Sequence, residues 1–268
     1  MTDLRIGITG CSGRMGRMLL RTVAGAPGCV LAGGCDAPGS PALGEDLGIL
    51  AGLGFLDMKA GDDAAGLFAK SDVVVDFTVP AATVVHAGLA AKAKVAHVIG
   101  TTGLDAEQTA AIGRAAAKAP IVLAPNMSLG VNVLLALVER AASVLDADYD
   151  IEIVEMHHRH KVDAPSGTAL ALGRAAATGR TVDLNAVAQK VRDGITGARR
   201  RGDIGFATLR GGDVAGDHTV IFAGEGERIE LAHKASSREV FARGALKAAL
   251  WTRGKPPGLY SMKDVLGL

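Results

Sequence analysis

The first 126 residues alternate between short runs rich in valine and isoleucine and longer stretches rich in alanine. This alternation is typical of a parallel β-sheet covered by helices on both faces, because its strands are buried on both sides. The pattern predicts strands over residues 4–9, 30–35, 72–78, 95–99 and 121–124, and helices over 14–24, 81–93 and 105–118. The fold class predicted for this part is α/β, with a doubly wound parallel sheet.

After Asn126 the pattern changes, and strands are grouped instead of alternating regularly with helices. The predicted helices cover residues 129–145, 167–177 and 238–251, and the predicted strands cover 150–156, 204–209, 218–223 and 228–232. This grouping favours an antiparallel or mixed sheet, so the second part is predicted to be an α+β domain. Residues 178–202 have little periodicity and include three consecutive arginines, which predicts a solvated, mobile loop.

Composition excludes several classes of partner. The 268 residues carry 29 basic and 28 acidic side chains, so the net charge of +1 offers no global attraction to nucleic acid or to an anionic membrane. Cys11, Cys29 and Cys35 lack a Cys-x-x-Cys spacing and favour neither a disulfide framework nor a thiolate metal site. The sequence shows no signal peptide or membrane-spanning run, so we expect a soluble, cytoplasmic protein.

A glycine-rich turn follows the first predicted strand, with the sequence Gly10-Cys11-Ser12-Gly13-Arg14-Met15-Gly16. Gly10 permits a tight turn, and Gly13 lets the backbone approach a pyrophosphate that the first amides of the next helix face. Ser12 and Met15 stand where the usual Gly-x-Gly-x-x-Gly pattern has its second and third glycines. The turn predicts a dinucleotide-binding domain, and the alternative is an ordinary tight turn between a strand and a helix.

The next predicted strand ends in Asp36, twenty residues beyond Gly16, where a carboxylate can bind the ribose of an adenine nucleotide. Two further strand ends carry small polar groups, in the turns Gly100-Thr101-Thr102-Gly103 and Ala124-Pro125-Asn126-Met127. Ligands of open parallel sheets bind beyond the carboxyl ends of the strands, so we expect these turns to line the nicotinamide half of the cofactor. Taken singly, each turn is equally compatible with a plain connection.

The densest polar cluster extends from Glu155 to Lys161 and contains three histidines. Side chains alternate along a strand, so we expect His157 to share one face with Glu155 and His158 to lie on the other face. One alternative is an exposed basic loop that only increases solubility.

A second alternative for this cluster is a metal site formed by His157, His160 and Asp163. The neighbouring Arg159 and Lys161 would repel a divalent cation. No metal is therefore predicted.

The residues after this cluster indicate an anion-binding turn. Ser166 is placed to cap the helix that follows, which leaves the amides near Gly167 and Thr168 and the Thr168 hydroxyl to hold a carboxylate. Histidine and lysine beside such a turn can hold a second carboxylate and donate a proton to a substrate that gains electrons during hydride transfer. An anionic substrate is therefore predicted.

These motifs resemble those of a known family. Residues 157–169 read His-His-Arg-His-Lys-Val-Asp-Ala-Pro-Ser-Gly-Thr-Ala and are similar to the signature of the dihydrodipicolinate reductases, also called 4-hydroxy-tetrahydrodipicolinate reductases. Further similarities span essentially the whole chain and lie at residues 13–16, 76–78, 100–103, 126–132, 205–207 and 233–238.

The resemblance implies an enzyme of lysine and diaminopimelate biosynthesis. Such an enzyme removes water from 4-hydroxy-tetrahydrodipicolinate and reduces the resulting conjugated imine to tetrahydrodipicolinate with NADH or NADPH. The family implies that His157 and Lys161 are catalytic, and that the cyclic dicarboxylate substrate binds at His158, Ser166, Gly167 and Thr168. The cofactor-binding residues implied by the family are Gly10, Cys11, Ser12, Gly13, Arg14, Met15, Asp36, Gly100, Thr101, Thr102, Ala124, Pro125, Asn126 and Met127.

The family also implies a homotetramer assembled through the sheet of the second domain, and a C-terminal helix that returns to the first domain. We therefore predict a dinucleotide-binding domain of residues 1–128 plus 239–268 and a substrate-binding and oligomerisation domain of residues 129–238. Family members that accept NADPH readily tend to have arginines at the positions of Ala37 and Val79. We expect NADH to be preferred here, because Asp36 would repel a 2′-phosphate that no arginine neutralises.

There are two alternative functions. One is another two-domain dehydrogenase of amino-acid biosynthesis, for instance one that acts on a semialdehyde. The thioester type of such an enzyme needs a nucleophilic cysteine in its catalytic half, and it is excluded because all three cysteines lie in the first 35 residues. A non-catalytic dinucleotide sensor would keep the glycine turn but would have no use for His157, Lys161 and the turn at 166–168.

Overall fold

The computed structural model describes residues 2–268, which divide into two compact units. Unit 1 contains the described residues up to Leu129 together with Glu239–Gly267, and unit 2 contains Gly130–Arg238. Each unit has its own sheet and its own apolar core. None of the described helices is long and apolar enough to cross a membrane.

The chain contains regular elements along most of its length. The strands are β1 (Leu4–Thr9), β2 (Cys29–Cys35), β3 (Val73–Asp76), β4 (Ala96–Ile99), β5 (Pro120–Leu123), β6 (Asp150–His157), β7 (Ala188–Gln189), β8 (Ile204–Arg210), β9 (Gly216–Ala223), β10 (Arg228–Ala235) and β11 (Gly258–Tyr260). The helices are α1 (Arg14–Ala24), α2 (Leu47–Ala51), α3 (Ala64–Lys70), α4 (Pro80–Ala93), α5 (Ala106–Ala116), α6 (Leu129–Val144), α7 (Gly167–Arg180), α8 (Leu184–Val187), α9 (Glu239–Trp251) and α10 (Met262–Leu266).

The sheet of unit 1 has six parallel strands in the order β11-β5-β4-β3-β1-β2. The chain passes from β1 to β2 on one side and then to β3 on the other side, so the strand order reverses between β1 and β3. Ligands of such sheets bind beyond the carboxyl ends of the strands at this reversal. The doubly wound parallel sheet expected from the sequence is confirmed, with β11 added at one edge.

Helices cover both faces of this sheet, because successive residues of each strand face opposite sides. Val73 and Val75 pack into a core with residues of α1 and α9, while Val74 packs on the other side with α3 and α4. Ile99 and Ile121 extend that second side against α4 and α5. All five side chains are fully buried, which is the reason that these strands consist of continuous apolar residues.

Helix α9 packs in unit 1 through its small residues. Ala242, Ala245 and Ala248 are fully buried, and the helix contacts α1. Gly244 brings the helix very close to the chain that follows β5, since a Cβ built on Gly244 would stand 1.7 Å from the carbonyl oxygen of Met127. The approach of α9 therefore depends on the absence of a side chain at this position.

The sheet of unit 2 is mixed and has five strands in the order β10-β9-β6-β8-β7. The central strand β6 is parallel to β8 and antiparallel to β9. Alternate residues of β6 are buried, and Ile151 and Ile153 pack with side chains of α6 and α7. The structure thus decides between the antiparallel and mixed sheets that the sequence left open.

Residues 178–189 are partly structured, so the prediction of a solvated loop is wrong there, whereas residues 190–202 contain no helix or strand and are mostly exposed. Helix α7 continues to Arg180, α8 follows, and β7 pairs with β8. Arg199 donates hydrogen bonds to Asp150 at 2.6 Å and to Glu152 at 2.9 Å. The sequence pattern does not indicate these hydrogen bonds, because the paired residues lie 49 and 47 positions apart in the chain.

The sequence pattern also misses the short elements of unit 1, which are α2, α3, β11 and α10. None exceeds seven residues, so none is long enough to show the periodicity of a helix or strand clearly. All three of these helices do have local start signals, and α10 begins with a capping box formed by Ser261 and Asp264. Asp46 and Asp63 are N-caps that accept hydrogen bonds from first-turn amides of α2 and α3.

The close approach of α9 can be tested with two glycine-to-alanine substitutions in helices of unit 1. Gly244→Ala forces the backbone near Met127 to move, and we expect it to destabilise the protein by about 1–3 kcal/mol. The matched control is Gly88→Ala in α4, where a Cβ would meet nothing within 4 Å. The control should be neutral or stabilising by up to about 1 kcal/mol, because alanine favours the helix. Urea unfolding measures both, and equal effects of the two substitutions would contradict the packing argument.

Candidate active site

The glycine turn between β1 and α1 lies at the reversal of strand order in unit 1. Gly10 has a φ of +64°, in the left-handed region where glycine is favoured. Gly13 is the N-cap of α1 and, within residues 2–268, no side chain caps the first-turn amides of this helix. Those amides and the positive end of the helix dipole suit a phosphate group.

Gly16 acts as the third glycine of the turn. A Cβ on Gly16 would stand 2.1 Å from the carbonyl oxygen of Gly10, so any side chain would push the helix away from the strand. Met15, where the usual spacing expects that glycine, is partly buried and packs against the core, and Cys11 is fully buried. The usual pattern has its close-packed glycine at the position of Met15. This turn is one residue longer, so the close-packed glycine is Gly16.

Asp36 lies directly beside the glycine turn. Its carboxylate accepts hydrogen bonds from the Ser12 amide at 3.1 Å, from the Ser12 hydroxyl, and from the Ala37 amide at 2.9 Å. A cleft of about 440 Å³ opens here at the carboxyl ends of the strands. It is lined by Gly10, Ser12, Gly13, Cys35, Asp36, Ala37, Pro38, Asp62, Ala64, Phe77, Thr78, Val79, Ala82 and His86.

This cleft has an acidic lining. Asp36 and Asp62 are its two carboxylates, and the described residues that line it include no lysine or arginine. Arg14 and Arg17 lie in the adjacent turn and helix outside this lining, and Arg17 donates to the Ser12 carbonyl at 2.7 Å.

A buried carboxylate organises the next strand ends. Asp76, at the end of β3, is fully buried and accepts hydrogen bonds from the Thr78 amide at 2.9 Å and the Thr78 hydroxyl at 2.6 Å. His86 and His97 contact its other oxygen at 2.8 and 3.3 Å. Burial opposes ionisation, but the two histidines outweigh it and hold the pKa of Asp76 well below its usual range. Sequence reasoning identified the motif that contains Asp76 but missed both histidines, which lie 10 and 21 positions further along the chain.

The other two predicted cofactor turns also lie at strand ends of unit 1. Gly100 and Thr101 follow β4, and the Thr101 hydroxyl reaches Asp76 at 3.4 Å, while Thr102 is exposed. Gly100 is required by packing, since a Cβ there would stand 2.2 Å from the ring of Phe77. The turn 124–127 follows β5 and contains buried alanine and methionine around an exposed proline and a half-buried asparagine.

The cysteines of unit 1 lack the lowered pKa of a nucleophilic thiolate, and burial raises the pKa of each. All three are free thiols. Burial raises the pKa of Cys11 to about 11 and that of Cys35 to about 12, so both remain protonated near neutral pH. This agrees with the exclusion, from the sequence, of a dehydrogenase that acts through a thioester.

In unit 2, the buried face of β6 changes from apolar to polar toward its end. Ile151 and Ile153 are followed on the same face by Glu155 and His157, and all four are buried. The Nδ1 atom of His157 lies 2.6 Å from a carboxylate oxygen of Glu155. The shared face expected from strand alternation is confirmed.

Glu155 has further donors from distant elements. Arg210, at the end of β8, donates to both carboxylate oxygens at 2.9 and 3.0 Å, and the Ser166 amide donates at 3.0 Å. Burial opposes ionisation of Glu155, but Arg210 and His157 outweigh it and hold the pKa of Glu155 below its usual value. Sequence reasoning did not identify Arg210, because it lies 55 positions from Glu155.

His218 lies opposite Glu155 on β9 and completes the cluster. Its ring packs edge-on to that of His157, with centroids 5.0 Å apart, and its Nε2 atom lies 3.1 Å from the Ser166 hydroxyl. Burial lowers the pKa of His218 to about 4, so this ring is neutral near pH 7.

The predicted anion-binding turn follows in the chain. The Ser166 hydroxyl accepts a hydrogen bond from the Ala169 amide at 3.1 Å, so the predicted cap of α7 is confirmed. Gly167 and Thr168 form the first turn of this helix, and a Cβ on Gly167 would meet nothing within 4 Å. The space beside the Cα atom of Gly167 is therefore open.

Two cations flank this part of unit 2. Lys161 donates to Asp163 at 2.7 Å, and Arg238 lies 3.4 Å from the Nε2 atom of His158. Burial and the Arg238 guanidinium hold the pKa of His158 below its usual value. Sequence reasoning had not singled out Arg238 as a partner of His158.

Two residues of the metal hypothesis have other partners. Asp163 is bound by Lys161, and His157 Nδ1 faces Glu155. Within residues 2–268 the structure contains no group of three or more histidine, cysteine or acidic residues that could hold a metal ion.

These observations first define a class of protein. A glycine-rich turn at the strand reversal, a carboxylate after the next strand and a cleft between them define unit 1 as a dinucleotide-binding domain of the Rossmann type. Unit 2 adds a histidine, lysine and arginine cluster beside a capped helix start. This combination is typical of a nucleotide-dependent oxidoreductase with an anionic substrate.

Comparison with known proteins identifies the family. The family models described as "Dihydrodipicolinate reductase, N-terminus" and "Dihydrodipicolinate reductase, C-terminus" match residues 4–127 and 130–266. The chain therefore belongs to the dihydrodipicolinate reductase family, as its signature at residues 157–169 predicts.

Relatives of this family match the chain over its full length. It is 59% identical over 268 residues to the 4-hydroxy-tetrahydrodipicolinate reductase of Rhodopseudomonas palustris strain BisA53, covering 100% of this chain and 98% of that protein. It is 60% identical to the protein of the same name from Parvibaculum lavamentivorans, covering 99% and 98%. Among solved structures, dipicolinate-bound dihydrodipicolinate reductase from Paenisporosarcina sp. TG-14 has the same fold, with a TM-score of 0.77, 24% identity and coverage of 97% and 98%.

The buried, neutral His218 makes stability depend on pH. An unfolded histidine has a pKa of about 6.5, whereas that of His218 in the folded protein is about 4. As the pH falls through this window, the unfolded chain binds a proton that the folded chain excludes, so stability present above about pH 6.5 is lost progressively. We expect this group to contribute a loss of roughly 2–4 kcal/mol between about pH 6.5 and pH 4.

His218→Gln provides the comparison, because it removes the titrating group and keeps a hydrogen-bonding side chain near Ser166. Urea unfolding across this pH range should give a smaller loss of unfolding free energy for the variant than for the original protein. Superimposable pH dependences would show that His218 does not titrate as described.

Proposed function

We propose that this chain catalyses the NAD(P)H-dependent reduction of 4-hydroxy-tetrahydrodipicolinate, with loss of water, to tetrahydrodipicolinate in diaminopimelate and lysine biosynthesis. The observation that carries the proposal is the match of both units to one reductase family, in a chain that also has the buried Glu155–His157 pair and the capped turn at Ser166. Full-length relatives with this name support the same reaction.

The geometry of unit 1 fits a dinucleotide. Gly10, Gly13 and Gly16 leave room for a pyrophosphate against the uncapped amides of α1. Asp36 would accept hydrogen bonds from the adenine ribose, and the turns at 100–102 and 124–127 would hold the nicotinamide end. When bound, the reduced cofactor supplies a hydride.

The cluster of unit 2 fits a dicarboxylate. The first amides of α7 and the Thr168 hydroxyl would hold one carboxylate at the positive end of the helix dipole. The second carboxylate would lie near His158, with the charge of Arg238 beside it. Ser166 would act through the shape of the turn, since its hydroxyl caps the helix and contacts His218.

The reduction also needs a proton. Hydride addition to a conjugated imine leaves an electron pair on the substrate, and one proton from the enzyme completes the reaction. We assign this donation to Lys161, which exchanges its contact with Asp163 for the substrate, with His157 as a further proton donor or acceptor. Both side chains belong to the same short segment, so they can act on one substrate molecule.

The assembly and the location of the enzyme follow from the family in the same way. We propose a homotetramer formed through the sheet of unit 2, whose face away from the buried Ile151 and Ile153 carries the exposed apolar side chain of Leu209 on β8. We also propose that the enzyme works in the cytoplasm, which the three free thiols support.

Replacement of the proposed proton donors tests the mechanism. We expect Lys161→Ala and His157→Asn to lower kcat by about 10²-fold or more, because each removes a group that transfers a proton. Asparagine retains a donor near the position of Nδ1, so Glu155 keeps a partner in the fold. His160→Ala is the control, since this neighbouring histidine is exposed and has no assigned role. A near-normal kcat in Lys161→Ala would remove Lys161 from the mechanism.

Cofactor preference gives a second test. We propose that NADH is preferred, supported by the acidic lining of the cleft and by the uncharged Ala37 and Val79. A 2′-phosphate beside Asp36 would be unfavourable by roughly 1–3 kcal/mol, or about 10- to 100-fold in kcat/KM.

Ala37→Arg should raise kcat/KM for NADPH relative to NADH by about 10-fold, because it places a cation beside the 2′-phosphate. Assays with both cofactors at one salt concentration measure the ratio. If the unmodified enzyme prefers NADPH, a cation such as Arg14 must reach the phosphate, and the proposed preference is wrong.

A further inference from the structure

Glu155 is the point at which the proposed catalytic and substrate-binding groups of unit 2 meet. Its carboxylate is 1% exposed and has contacts with four nitrogen atoms, which belong to His157, Ser166 and, twice, Arg210. One oxygen faces His157 and Arg210, and the other faces Arg210 and the Ser166 amide. The same carboxylate therefore contacts the imidazole and the start of α7.

This arrangement determines the tautomer of His157. An ionised carboxylate can only accept hydrogen bonds, and a guanidinium can only donate them. At 2.6 Å from the Glu155 oxygen, the Nδ1 atom of His157 must therefore carry a proton. Nε2 is then the nitrogen left for proton exchange with a ligand.

The surroundings of His157 keep that nitrogen accessible. A Cβ built on Gly216 would stand 3.0 Å from Nε2, so the absence of a side chain at this position leaves space beside the nitrogen. His218, which packs edge-on to the ring, is neutral and does not compete for the Glu155 charge.

Arg210 holds the carboxylate in place. It ends β8 in register with His157 on β6, and its guanidinium forms a two-pronged contact with Glu155. It also donates to the Asp163 carbonyl at 2.6 Å, which ties the loop that carries Lys161 to the same centre. Around Glu155, the charged or titratable neighbours are His157 from β6, Arg210 from β8 and His218 from β9.

We infer that Glu155, clamped by Arg210, is a positioning residue of the reductase, which fixes the Nδ1-protonated tautomer of His157 and the start of α7 relative to it. This inference rests on the proposed catalytic role of His157. In serine proteases, an imidazole held in the wrong tautomer lowers the rate by up to about 10⁴-fold, so the effect on turnover is expected to be large.

Glu155→Gln is the sharpest test. In Glu155, each of the two oxygens faces a pair of donors, but a glutamine amide has only one oxygen. If that oxygen faces Ser166, the amide NH₂ group faces His157 and donates to its Nδ1 atom. Nδ1 must then be unprotonated, so the tautomer is inverted. We expect kcat to fall by at least about 10-fold, while the control Glu152→Gln has normal kcat. Glu152 is a suitable control because it lies on the same strand and is also bound by two arginines, Arg192 and Arg199, away from His157.

A second readout reports the tautomer directly. Nitrogen-15 spectra of histidine-labelled enzyme, with the His157 signal assigned from His157→Asn, should show protonated Nδ1 in the unmodified enzyme and protonated Nε2 in Glu155→Gln. Unchanged tautomer and kcat in a folded Glu155→Gln enzyme, together with a slow His157→Asn enzyme, would overturn the positioning role and leave the proposed function intact. Normal kcat in His157→Asn would instead refute the catalytic role of His157, and the rate effect assigned to Glu155 with it.

Arg210→Met gives an independent test if Glu155→Gln does not fold. Without the guanidinium, Glu155 gains a proton at higher pH, so the acid limb of the kcat–pH profile should move upward. An acid limb that stays in place in the folded Arg210→Met enzyme would overturn the inference.

Discussion

A carboxylate that is buried in its ionised form must be surrounded by donors, because losing water without replacement would be very unfavourable. Both units of this chain meet that requirement at the end of a strand. Asp76 has donors from Thr78 and contacts with His86 and His97, and Glu155 has contacts with Arg210, His157 and the Ser166 amide. These donors come from different elements, so each carboxylate connects several segments of the chain at one strand end.

The proposed chemistry depends on these two centres. In unit 1, Asp76 connects the turn after β3 to the Thr101 hydroxyl after β4, and both turns belong to the edge where a dinucleotide would bind. In unit 2, Glu155 connects the imidazole of His157 to the start of α7. The chain has a net charge of only +1, so local charge placement of this kind, and not a global field, must recognise its anionic ligands.

Much of the fold was predictable from local pattern. The predicted ranges of β1 and α1 agree with the structure, and the helix predicted over residues 105–118 is present as α5. The glycine turn was identified, but its departure from the usual spacing at Met15 was explained only by the structure, in which the turn is one residue longer and Gly16 is the close-packed position. The order within residues 178–202 was missed, since ion pairs such as Arg199–Asp150 leave no local periodicity.

The sequence by itself determined the family, the kind of sheet in unit 1 and the segment 155–168 that carries the proposed chemistry, because each is expressed in neighbouring residues. The tertiary structure decided which groups meet there. Arg210 reaches Glu155 across 55 positions and His218 reaches Ser166 across 52, through the pairing of β6 with β8 and β9. Strand register sets these contacts, and register depends on packing between distant segments, which no local pattern in the sequence specifies.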